Sequence, residues 1–178
     1  MGIGERNGLI FVLTGSGKGK TSAALGMAVR AAGQGLRVLI LQFMKGLPAI
    51  GETKALTNTG LPITIKRFGR PGFVHNRVCE ALDLHIAHQG LEAFEDAIVS
   101  RSYDLIVLDE INVAIDFGLL KIEELIRAIT KKPPELHLVL TGRHARKELL
   151  DIADLVTEMK EVKHHFNEGV KAQKGIEF

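Results

Sequence analysis

Six short apolar runs divide the chain: Leu9–Thr14, Val38–Phe43, Ile63–Phe68, Leu105–Asp109, Leu136–Thr141 and Leu155–Glu158. Most are nearly continuous in apolar residues, the pattern of strands buried on both faces in a parallel sheet. Longer segments with helical spacing lie between them. The first helix is expected to start within Gly19–Thr21, turn Ala24, Leu25, Ala28, Val29 and Ala32 inward, and stop at Gly33 or Gly35. A second fits Asn76–Ser102, with Asn76 as N-cap and a break allowed near Gly90. Shorter helices fit Ile122–Thr130, ended by Pro133–Pro134, and Ala145–Ala153. Strand and helix alternate from one end to the other without an internal repeat, which predicts an α/β fold: a mostly parallel sheet flanked by helices.

A chain of 178 residues buries one substantial core and is too short for two ordinary domains with a linker, so residues 1–178 are expected to form a single domain. The stretches Lys45–Pro62 and Gly69–Asn76 are rich in Gly, Pro, Thr and Asn and read as irregular. Both follow strand ends, and open α/β sheets bind ligands at the carboxyl ends of their strands. Gly15–Thr21, Gly46–Thr59, Gly69–Asn76, Glu110–Gly118 and Gly142–Arg146 are therefore expected to line one crevice.

Composition narrows the function classes. Apolar residues make up 46% and charged residues 25%, as in globular proteins. Cys79 is the single cysteine, which excludes an internal disulfide, and its expected role is packing. No apolar run approaches the roughly 20 residues of a membrane span, and Met1–Gly8 lacks the apolar core of a signal peptide. The expected location is cytoplasmic, with no membrane partner. A net charge of +2, spread along the chain, argues against a nucleic-acid partner. Arg143–Lys147 and Lys160–His165 could still form a local anion site.

The sharpest chemical signal is Thr14-Gly15-Ser16-Gly17-Lys18-Gly19-Lys20-Thr21, placed between an apolar strand and an Ala-rich helix. This is the setting of a phosphate-binding P-loop. Glycines let backbone N–H groups converge on phosphate oxygens, and the helix N-terminus adds a favourable dipole. Gly15, Ser16, Gly17, Lys18, Gly19, Lys20, Thr21 and Ser22 are the candidate ATP contacts. Lys20 would neutralise phosphate, and the Thr21 hydroxyl would bind Mg2+ or Mn2+. The strict pattern has glycine where this chain has Thr14, which suggests an altered loop path. A merely structural strand-to-helix turn would leave Lys18, Lys20 and Thr21 unexplained.

A second signal is Tyr103–Glu110, an apolar strand ending in two acids. An acid at this place in P-loop proteins holds magnesium or its water shell. Glu110 is the favoured metal-binding residue and catalytic partner of Lys20, with Asp109 as the supporting acid. Arg143 in Thr141-Gly142-Arg143 could reach the crevice and pair with ATP phosphate oxygens; the alternative is a solvated arginine at a strand end. His164 and His165 lack partners at a zinc spacing and read as surface or substrate-contacting residues.

Through TGSGKGKTSAALG, DLIVLDEINVAIDFGLL and LVLTGRHARKELLDIADLVTEMKEVKHHFNEGVKAQKGIEF, the chain resembles the P-loop type ATP:corrinoid adenosyltransferases from about Leu9 to Phe178. The G-x-G-K-G-K-T loop and the closing VKHHFNEGVKAQKGIEF are the specific parts. The resemblance implies a P-loop NTPase of RecA-like type in which the Co(I) centre of a corrinoid attacks the ribose C5′ of ATP and triphosphate leaves. It implies ATP and a corrinoid (cobalamin) as co-substrates in cobalamin synthesis or salvage, a flavoprotein reductant, and a homodimer. The family's corrinoid-packing aromatics carry over to Phe73 and, at a position where tryptophan is expected, His75; an imidazole there could itself bind cobalt. Only about eight residues precede the first strand, so a covering lid is expected from elsewhere in the molecule. The competing readings are a P-loop small-molecule kinase and a RecA-like nucleotide-driven nucleic-acid protein.

Overall fold

The computed structural model describes residues 7–46, 51–57, 59–70 and 79–176. Its strands are β1 (Ile10–Thr14), β2 (Val38–Phe43), β3 (Ile63–Phe68), β4 (Leu105–Asp109), β5 (His137–Thr141) and β6 (Leu155–Glu158). They form one sheet in the order β3-β2-β4-β5-β1-β6, and every neighbouring pair is parallel. The helices are α1 (Lys20–Gly33), α2 (Gly51–Thr57), α3 (Ala81–Ser100), α4 (Ile111–Asp116), α5 (Ile122–Ile129) and α6 (Lys147–Ile152), followed by a 3-10 turn at His165–Glu168. This is the α/β architecture expected from the alternation of the runs.

Side chains alternate across the sheet. Leu39, Leu41 and Phe43 of β2 join Phe94, Ile111 and Leu125 in one core, whereas Val38 and Ile40 join Ala24, Ala28 and Ala32 of α1 in the other. The alanine stripe lets α1 approach the sheet closely. Val29, expected inward, is 42% exposed, because the small-residue stripe alone faces the strands; Leu25 is half-buried. The central strands β2 and β4 are buried throughout, but β3 is only half-covered and all of β6 is exposed, since these two are the sheet edges.

α3 is shorter than expected at both ends, and the break allowed in its middle is absent. It starts at Ala81, where Glu80 and Asp83 form a reciprocal capping box; Asn76 lies outside the described residues. The helix runs unbroken through Gly90. A Cβ there would sit 2.5 Å from Cε1 of Phe43 and 3.0 Å from Cγ of Phe68, so the glycine serves close helix-to-sheet contact. Two short helices add to the expected set: α2 lies in a stretch expected to be irregular, and α4 in a segment expected only to line the crevice. Cys79 packs against the core and its thiol donates to the Phe117 carbonyl at 3.5 Å. No helix among the described residues is long and apolar enough to cross a membrane.

The strand order has one consequence for chemistry. β5 lies between β1, which leads into the glycine loop, and β4, which ends in the acids. Thr141, the last residue of β5, is thereby set between the two.

Candidate functional site

The glycine loop takes its shape from the far end of the chain. Gly15 and Gly19 have φ of +97° and +108°, values that side chains with a Cβ rarely adopt. A Cβ on Gly15 would lie 2.3 Å from the Met159 carbonyl oxygen, and one on Gly17 would lie 2.7 Å from Lys160 backbone. The Gly17 N–H donates to the Met159 carbonyl at 2.7 Å. The loop is thus pressed against the backbone that leaves β6. Lys20 begins α1 and is nearly buried; its ammonium donates to the carbonyls of Gly15 and Gly17 at 2.7 and 2.6 Å. Burial lowers the Lys20 pKa, Glu110 opposes that shift and Arg143 adds to it.

Across the crevice, Asp109 is 1% exposed and accepts four hydrogen bonds. Thr21 Oγ1 at 2.9 Å and Thr141 Oγ1 at 2.8 Å donate to Oδ1. Gln42 Nε2 at 3.2 Å and Lys45 Nζ at 2.6 Å donate to Oδ2. Residues from α1, β2, the turn after β2 and β5 therefore meet on one carboxylate. Glu110 follows in the left-handed conformation, φ +62°, and its N–H donates to Thr141 Oγ1 at 3.0 Å. This turn aims the two acids apart. Burial, then the Asp109 charge, raises the Glu110 pKa, while Lys45, Lys20 and Arg143 pull it back.

Asn112 holds the next segment by donating from Nδ2 to the Gly142 carbonyl at 3.2 Å. Gly142 has φ +130° and approaches Asn112 Cβ and Val113 N so closely that a Cβ would sit 3.0 Å from each. The chain then brings Arg143, exposed at its surface, to the rim of the crevice.

These groups surround a cavity of about 1060 Å³. Gly17, Lys18, Gly19, Lys20, Thr21, Ser22, Glu110 and Arg143 line it, so most of the residues singled out from sequence share one space. Gly15 and Ser16 shape the loop from outside the lining, and Asp109 lies behind the wall, bonded to Thr21. Phe73 and His75 lie outside the described residues. His164 and His165 stack on each other, ring centroids 4.6 Å apart, and both are half-buried. Lys45, Gln42, Thr141 and Phe117 belong to the site or its support and carry no sequence motif of their own; the one local hint is Gln42, a polar residue inside an otherwise apolar strand. Gly175 and Ile176, near the end of the chain, also reach the cavity wall.

The donor chemistry suits a hard divalent cation. Thr21 offers a hydroxyl and Asp109 and Glu110 offer carboxylates, while among the described residues no cluster of three or more His, Cys, Asp or Glu is available as a cage. Such a sparse oxygen set is what Mg2+ uses when phosphates and water complete its shell.

A glycine loop entering a helix, an acid-tipped strand separated from it by one more strand, and a shared cavity define a P-loop protein of the RecA-like class. A solved structure of similar fold is the KaiC-like protein PH0186 from Pyrococcus horikoshii OT3, with a TM-score of 0.58 and 17% identity, covering 88% of this chain and 75% of that one. The family model for ATP:corrinoid adenosyltransferase BtuR/CobO/CobP matches residues 6–178, and the chain belongs to that family. It is 37% identical over 176 residues to the corrinoid adenosyltransferase of a Sinorhizobium species, spanning 98% of this chain and 82% of the relative. Over 175 residues it is 37% identical to corrinoid adenosyltransferase CobA of Salmonella typhimurium, spanning 98% and 87%.

Proposed function

We propose that this protein transfers the 5′-deoxyadenosyl group of ATP to the Co(I) centre of a corrinoid. Cobalt supplies the electron pair that forms the bond to C5′, the C5′–O bond breaks, and its pair leaves with triphosphate. The protein needs no nucleophile of its own for this. Its task is to hold the triphosphate, neutralise the charge that grows on the departing oxygen, and leave C5′ open to the cavity.

The observation that carries this reading is the distribution of charge around one cavity. Lys18, Lys20 and Arg143 line the same space as the glycine loop, and Glu110 faces them. Lys20 exchanges its loop carbonyls for phosphate oxygens, Arg143 reaches the triphosphate from the rim, and the loop N–H groups donate to the remaining phosphate oxygens. Thr21, Asp109 and Glu110 hold Mg2+ or Mn2+, which when bound neutralises triphosphate oxygens. Phe73 and His75 handle the corrinoid. An external flavoprotein delivers the electron that makes Co(I), and the working form is a cytoplasmic homodimer.

The test is product analysis with ATP, Mg2+ and chemically reduced cobalamin. The expected products are an adenosylated corrinoid, seen in its absorption spectrum, and inorganic triphosphate. Lys20→Ala should lower turnover by about 10²-fold or more, as the loss of a charge-stabilising donor does in other enzymes. ADP with a phosphorylated acceptor, or ADP and phosphate released in response to nucleic acid, would replace this reading with one of its competitors.

A further inference from the structure

Lys45 has no part in the phosphate loop, yet its ammonium stands at the centre of the acidic side. Nζ lies 2.6 Å from Asp109 Oδ2 and 3.3 Å from Thr21 Oγ1. It therefore bridges the hydroxyl and the buried carboxylate that a nucleotide-bound cation would share. We propose that Lys45 is a tethered counter-ion, which neutralises Asp109 from the cation's own place and gives way to the phosphates when a metal–nucleotide complex binds. The inference rests on the metal-binding role assigned above to Thr21 and Asp109.

Four features support it. Thr21, Thr141 and Gln42 already orient Asp109, so Lys45 is not required for geometry. None of those three carries charge, and a carboxylate 1% exposed needs an opposite charge nearby. Lys20 does not pair with Asp109, since its ammonium donates to Gly15 and Gly17. Finally, the backbone delivers Lys45 here at a cost: Met44 is left-handed at φ +57°, its N–H donates to the Phe68 carbonyl at 2.7 Å, and a Cβ on Gly69 would come within 2.5 Å of Lys45 N. A strained residue held by a close approach marks a position whose placement matters.

A divalent ion arriving at Thr21 and Asp109 repels the ammonium. Magnesium binds oxygen at about 2.1 Å, so an ion on Thr21 Oγ1 would stand no more than about 5.4 Å from an ammonium 3.3 Å from the same atom, and the two like charges repel. The anchor is the backbone, and the four-carbon stem remains free to swing. The Lys45 side chain is 22% exposed and lines the cavity that would receive the triphosphate. A free metal ion gives the displaced ammonium no new partner, but a metal–nucleotide complex brings phosphate oxygens. The site therefore favours the complex over the bare ion.

Titration with Mn2+ followed by electron paramagnetic resonance reads this directly, in the full chain, with and without ATP. Wild type should bind bare Mn2+ weakly and Mn2+–ATP well. Lys45→Met should bind bare Mn2+ at least about tenfold more tightly, the direction set by removing a like charge at ~4 Å, and Mn2+–ATP more weakly. Lys45→Gln, which keeps a polar head without the charge, should behave like Lys45→Met and serves if that variant does not fold. Lys45→Arg should keep the weak Mn2+ binding of wild type. Unchanged Mn2+ affinity in both neutral variants, or equally tight binding in Lys45→Arg, would overturn the proposal while leaving the metal site standing. Loss of any Mn2+ dependence of ATP binding in wild type would overturn the metal assignment and this proposal with it.

Discussion

Glu110 and Lys20 are each set against their surroundings. Burial raises the carboxyl of Glu110 and lowers the ammonium of Lys20, so both are held ready to gain from an incoming ligand of opposite charge. The raised Glu110 pKa has a signed consequence for stability. The unfolded chain releases that proton near the ordinary value of 4.5, whereas the folded protein keeps it to higher pH. Between those two points the folded state binds more protons, so this group's contribution falls as pH rises through the window. Glu110→Gln should accordingly raise the melting temperature in metal- and nucleotide-free buffer at neutral pH and leave it nearly unchanged at pH 4. A melting temperature lowered at neutral pH would mean that the carboxylate is net stabilising through its cationic neighbours.

Residue by residue, the legible part of the site was the part written locally. Gly15–Thr21 announces itself because glycines, lysines and a threonine must sit at fixed spacing between a strand and a helix. Lys45, Gln42 and Thr141 had no such signature. Their roles arise only where β2, β4 and β5 end side by side at Asp109, a meeting that depends on strand order and not on neighbouring residues.

At the scale of elements, the six strands were readable because each is a compact apolar run, and the edge strands kept enough of that character to be found. α4 was hidden. Ile111, Val113, Ala114 and Ile115 follow directly on the two acids that end the apolar run, and only the left-handed turn at Glu110 separates strand from helix. Gly90 is ambiguous in the sequence, since a glycine in a helix ordinarily allows a break. Its contact with Phe43 and Phe68 explains it and makes a prediction. Gly90→Ala should improve intrinsic helix propensity by up to ~1 kcal/mol, yet the intruding methyl meets the buried ring of Phe43 and the half-buried ring of Phe68, and overpacking of this kind costs about 1–3 kcal/mol. Chemical denaturation should show net destabilisation. A more stable variant would show that Phe43 and Phe68 can give way.

The molecule as a whole is closed by its late-coming strand. β6 pairs with β1 along its full length, and the Asp154 carboxylate accepts from the Ile10 N–H at 2.8 Å across a separation of 144 residues. The phosphate loop leans on Met159 and Lys160 just beyond β6. A chain ended after Ala153 should therefore lose ATP binding by calorimetry even if circular dichroism shows that its helices persist. Retained affinity would mean that the loop holds its shape alone.

That dependence also orders events in time. The glycine loop emerges from the ribosome well before the backbone that moulds it, which follows β6. A growing chain thus carries the signature of a nucleotide site long before it owns one, and cellular ATP has nothing to grip until β6 and the turn beyond it have been made.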